Sequence, residues 1–117
     1  MDHIVRAFPL LPGKRSDFEA FAKELRDRSA EASKFYSDHG VVHETWHLQE
    51  TPAGDLVIVC TDIGDASDGG ARYAAATAPF EAWFKGRVLG LTGIDPNTKP
   101  LGPDCVAVFE WPPASAD

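Results

Sequence analysis

Two apolar runs flank a single turn near the middle of the chain, and no other stretch limits the fold as strongly. Residues 41–49 (VVHETWHLQ) and 55–63 (DLVIVCTDI) are rich in Val, Ile, Thr, Leu and Trp, which suit a pleated, half-buried surface. Thr51-Pro52-Ala53-Gly54 between them is a turn signal, so the pair reads as a β-hairpin. A lone hairpin has no way to bury its apolar face and is marginal in water. The flanking sequence must therefore supply further strands and a covering layer.

Residues 3–10 (HIVRAFPL) read as a first strand, with Ile4, Arg6, Phe8 and Leu10 on one side and His3, Val5 and Ala7 on the other. Pro9 cannot donate to a ladder and weakens pairing there. Ser16 followed by Glu19 has the form of a capping box. Phe18, Phe21, Ala22, Leu25, Ala32 and Phe35 then recur at helical spacing, which predicts one long amphipathic helix ended by Gly40. After the hairpin, Asp65 and Asp68 start a second helical region, although Gly69-Gly70 weakens it by about 1 kcal/mol each against Ala. Pro79 breaks that region and is well placed to open a new helix, so a broken helix is expected over 66–77 and 79–89. Residues 91–103 read as a loop anchored by Ile94 or Leu101, 105–111 (CVAVFEW) as the last strand, and 112–117 as a fraying, disordered tail.

The expected order is therefore βαββαβ, an α+β, ferredoxin-like split pattern in one domain over 1–111. It implies a four-stranded antiparallel sheet with both helices on one face. The other face would expose more apolar area than a monomer of this size usually tolerates, so a homodimer with facing sheets, a dimeric α/β barrel, is expected.

At 117 residues one domain can bury roughly two thirds of its unfolded surface and needs no staples. The formal net charge of -7 repels phosphate backbones and anionic bilayers, which argues against nucleic acid and membrane as partners. No apolar run approaches the roughly 20 residues of a spanning helix, and Met1-Asp2-His3 opens no secretion signal, so a cytoplasmic protein is expected. Cys60 and Cys105 fit free thiols. No phosphate loop, dinucleotide glycine set or nucleophile elbow is present, and no cofactor is indicated.

The strand ending at Leu10-Leu11-Pro12-Gly13-Lys14, the helix closing at Gly40 and the hairpin leading into residues 71–88 together resemble the dimeric α/β-barrel superfamily. GVVHETWHLQ and APFEAWFKGRV look most like bacterial members without an assigned activity, related to antibiotic-biosynthesis-monooxygenase-like proteins. Haem-degrading members carry an Asn on the first strand and an iron-ligating His on the second helix. Here 3–10 has no Asn and 66–91 no His, which disfavours haem degradation. The resemblance also implies metal-free and flavin-free monooxygenase or isomerase chemistry on a phenolic or enolic metabolite as an alternative to simple binding of a small, partly apolar molecule.

Pairing Glu50 with Asp55 across the turn places Val42, Glu44, Trp46 and Leu48 on one face with Val57, Val59, Thr61 and Ile63. His43, Thr45 and His47 fall on the other with Ile58, Cys60 and Asp62. His43 then lies opposite Asp62, whose carboxylate would orient the imidazole as a general acid or base, with His47 a second candidate. His43 and His47 would sit about 13 Å apart on a strand, too far to share a metal. Glu44 beside Arg6, with Trp46, Tyr73 and Trp83, are candidate ligand-binding residues. Aromatic stripes of this kind usually form core. Asn97 and Lys99 sit in a loop placed to act as a lid.

Overall fold

The computed structural model describes residues 1–99 and 103–113. Three strands form the sheet: β1 (Asp2–Pro9), β2 (Val41–Thr51) and β3 (Gly54–Ile63). Their order is β1-β3-β2, all antiparallel, so the second strand of the hairpin is central. Thr51 closes the turn, its hydroxyl donating to the Gly54 carbonyl at 2.6 Å. From Thr51↔Gly54 to His43↔Asp62 the hairpin keeps the expected register. Val41, not Val42, then faces Ile63, because a bulge leaves Val42 as the extra residue, 67% exposed.

The expected long helix is two: α1 (Arg15–Asp27) and α2 (Ser29–Asp38), separated at Arg28. Arg28 is held at the break by Glu31, at 3.0 and 2.8 Å, and by the rings of Trp83 and Phe80, 4.3 and 4.9 Å from its guanidinium carbon. Ser16 lies inside α1, whose start at Lys14 has no side-chain cap, so the capping box does not form. Asp65 does cap α3 (Ala66–Ala75), accepting from the Asp68 N–H at 3.0 Å. Pro79 opens α4 (Pro79–Thr92), and Gly93 ends it in the left-handed conformation.

The core lies between the helices and the sheet face that carries Phe8 and Val57. It is dominated by Phe18, Phe21, Phe35, Phe80 and Phe84, with Trp46, Tyr36, Tyr73 and Trp83 packed against it. Gly69 sits where α3 presses on this layer. A Cβ there would lie 2.5 Å from Ile63 Cδ1 and 2.7 Å from the His39 carbonyl oxygen.

The expected fourth strand is absent, and the four-stranded ferredoxin-like barrel with it. Arg6 and Asp104 form one isolated antiparallel bridge, and the Cys105 N–H donates to the Val5 carbonyl at 2.7 Å, but 106–111 form no ladder. Extending that register would pair Val106, Ala107 and Val108 with Ile4, His3 and Asp2, but past Cys105 the chain leaves β1, none of these pairs forms, and Val106, Val108, Phe109 and Trp111 stay exposed. The fold is α+β, a three-stranded antiparallel sheet with four helices, among the described residues. Leu101 and the end of the expected tail, residues 114–117, lie outside them. No helix among them is long and apolar enough to cross a membrane.

Candidate functional site

A cavity of about 430 Å³ opens between the sheet and the helix layer. Its walls are mainly apolar: Ile4 and Phe8 from β1, Val57 and Val59 from β3, and Phe18, Phe35 and Phe84 from the helices. Two glycines, Gly69 and Gly70, line it on α3, and Pro96, Asn97, Thr98 and Lys99 line it from the loop after α4. Pockets of this size that combine apolar walls with a few convergent polar groups are what small organic ligands occupy.

The polar groups converge on Glu44. Strand alternation turns it to the same face as Trp46 and opposite Thr61. Its Oε1 accepts from the Thr61 hydroxyl at 2.7 Å and its Oε2 from the Trp46 indole N–H at 3.1 Å. Both donors are neutral, and no Lys, Arg or His pairs with Glu44 among the described residues. A carboxylate offers about four acceptor sites, so two remain for other donors. Tyr36 and Tyr73 lie close by. Burial first, and then the Glu44 charge, push both phenols far above their ordinary range, so they remain hydrogen-bond donors at any physiological pH.

Arg6 also lines the cavity, but its guanidinium is paired with Asp104 at 2.8 Å. His39, buried at the end of α2, meets the Phe35 carbonyl through Nδ1 at 2.6 Å. A carbonyl only accepts, so Nδ1 carries the proton. Lys85 ties the far end together. Almost fully buried, it donates to the Ala74 and Ala76 carbonyls at 3.1 and 2.8 Å and to Asn97 Oδ1 at 2.8 Å. It thus joins the end of α3 and the cavity loop to α4. Desolvation lowers its pKa, opposed by the charges of Asp95 and Glu81.

The sequence-derived candidates divide between two faces of the sheet. Arg6, Glu44, Trp46 and Tyr73 come together around the cavity. Trp83 does not line it; its ring packs on Phe21 and Phe80, at 5.4 and 5.5 Å, beneath Arg28. His43, His47 and Asp62 lie on the opposite, open face. Asp62 there is shared, with His3 Nδ1 at 2.6 Å and His43 Nδ1 at 3.9 Å, while His47 Nε2 meets the Thr45 hydroxyl at 3.0 Å. Among the described residues no three His, Cys, Asp or Glu side chains are grouped to hold a metal ion.

Sequence reasoning passed over Tyr36, His39 and Thr61, which line the cavity, and Lys85, which does not line it but holds the loop residue Asn97 that does. Ala32, Phe35, Tyr36 and His39 continue the helical stripe at i, i+3, i+4 and i+7, so Tyr36 and His39 were legible. Thr61 followed from its place opposite Glu44. Nothing in the sequence marks Lys85, which sits in the run Trp83-Phe84-Lys85-Gly86 like any surface lysine. No protein-family model matches the chain, and no curated protein matches it.

Proposed function

We propose that the cavity binds a small, partly apolar organic molecule carrying a hydroxyl or similar donor, which Glu44 accepts while the aromatic walls enclose the body. The observation that supports this most is a carboxylate without an ionic partner among the described residues, held by neutral donors inside an apolar chamber. Such a group is costly to desolvate unless a further donor completes it. A second reading, cofactor-independent oxygenation or isomerisation of a phenol or enol, rests on the same oxygen atoms. A general base must lie within hydrogen-bonding reach of the proton it takes, and in the cavity that position is held by Glu44. His43, His47 and Asp62 would serve that chemistry only for a molecule bound on the open face.

That open face, with Ile58, Cys60 and Val5 half-buried and no layer over it among the described residues, supports a homodimer as part of the reading. Binding is tested with 2-naphthol and its methyl ether, followed by tryptophan fluorescence. The phenol is expected to bind more tightly than the ether, and Glu44→Gln to weaken the phenol by about tenfold, the difference between a charge-assisted and a neutral hydrogen bond. His43→Ala, on the other face, should leave this affinity unchanged. Equal affinities of Glu44→Gln and the parent for the phenol would rule out Glu44 as the anchor.

A further inference from the structure

The loop after α4 gives the cavity a second polar end, opposite in character to the one at Glu44. Asn97, Thr98 and Lys99 line the cavity from that loop. The Lys85 ammonium can only donate, so it is the Asn97 oxygen that meets it at 2.8 Å, and this fixes which way the amide is turned. The two N–H donors of Asn97 Nδ2 are left without a partner among the described residues. Lys99 has no ion-pair partner among them either. The loop's own carboxylate, Asp95, accepts from the Asn97 backbone N–H at 2.9 Å, and its charge acts on Lys85. Arg6, also on the cavity wall, is taken by Asp104.

The two ends also stand on opposite sides of the sheet. The Leu91 carbonyl at the end of α4 accepts from the Leu11 N–H just after β1, and Asp104 returns to Arg6 on β1, so the loop leaves from and rejoins the β1 side. Glu44 lies on β2, with β3 between them, two strand spacings or about 9–10 Å away. Glu44 and Lys99 therefore border one cavity without pairing across it. Glu44 accepts through a carboxylate, whereas the loop donates through an amide and an ammonium.

We infer that the cavity takes a hydroxy acid, an apolar body of one or two rings with a hydroxyl at Glu44 and a carboxylate held by Asn97 and Lys99. Its orientation follows from desolvation and charge. Glu44 is half-buried, while Asn97 and Lys99 are exposed at the mouth. A carboxylate costs far more to dehydrate than a hydroxyl, so it keeps the wetter end. Reversed, the ligand would set its carboxylate against Glu44, where like charges repel. The inference rests on the binding reading proposed above and names the second functional group of its ligand.

Isothermal titration calorimetry with 2-naphthol and 6-hydroxy-2-naphthoate tests it, since the two share the rings and the hydroxyl and differ by the carboxylate on the far ring. The parent is expected to bind the acid about tenfold more tightly, as a charge-assisted contact supplies. That ratio should fall towards one at about 0.5 M salt, because a pair at the mouth is screened. In Lys99→Met the ratio should fall to about one, and in Lys99→Glu below one. Lys23→Met removes the same charge from the exposed side of α1 and should leave the ratio near ten. Lys99 is exposed, so circular dichroism of its variants should match the parent. A ratio of one in the parent overturns the hydroxy acid and leaves the binding reading standing. A ratio that survives in both Lys99 variants overturns the placement of the carboxylate at the loop. Binding of neither compound overturns the reading and the inference together.

Discussion

Gly69 and Gly70 are neighbours on one helix, and the same substitution at each should change stability in opposite directions. In isolation Gly→Ala stabilises a helix interior by up to about 1 kcal/mol. At Gly70 nothing lies within 4 Å of an added Cβ, so Gly70→Ala should keep that gain. At Gly69 the Cβ would stand 2.5 Å from Ile63 Cδ1 and 2.7 Å from the His39 carbonyl. The Ile63 methyl can swing aside, but the carbonyl is backbone at the buried end of α2. The helix must therefore move by roughly 1 Å to reach an ordinary contact distance, and overpacking of this kind costs about 1–3 kcal/mol. Set against the propensity gain, Gly69→Ala should lose about 1–2 kcal/mol net. Urea denaturation of both variants reads this as midpoints on either side of the parent with an unchanged slope. A Gly69→Ala protein as stable as the parent would refute the close approach of α3 to Ile63 and His39. Equal losses at both positions would refute the argument from local space.

Two further predictions concern the groups around the cavity. Tyr36 and Tyr73 keep their protons in the folded state to higher pH than in the unfolded chain, so their contribution is intact below about pH 10 and lost as the pH rises above it. Each phenol should take up to about 1.4 kcal/mol per pH unit well above pH 10, and Tyr36→Phe should reduce the fall in stability between about pH 10 and pH 11 by about 1 kcal/mol; parallel curves for variant and parent would contradict it. Lys85→Met removes the donor shared by Ala74, Ala76 and Asn97 and should cost about 2–4 kcal/mol, measured by chemical denaturation, with faster hydrogen exchange at residues 95–99. A loss within the scatter of ordinary surface substitutions would show that the lysine is dispensable there.

The sequence by itself determined the hairpin, its register from His43 to Thr51, the Asp65 cap and the helix start at Pro79. Each of these depends on contacts between near neighbours or on one residue's backbone limits. It also placed Glu44, Trp46 and Thr61 on one face and His43, His47 and Asp62 on the other, because strand alternation is a local rule. Tertiary structure decided the rest. Asp27-Arg28-Ser29 contains neither glycine nor proline, yet the helix breaks at Arg28, where Glu31 and the rings of Phe80 and Trp83 hold the guanidinium. Ser16 reads as a cap but falls inside α1, since helix ends answer to packing as well as to side chains. Lys85 looks like a surface residue until α3 ends beneath it and presents two carbonyls. The run from Cys105 to Trp111 has the local marks of a strand, and the expectation of a fourth strand built on them was wrong. A strand exists only through pairing with an edge, and past the Arg6–Asp104 bridge and the Cys105–Val5 bond the run makes none.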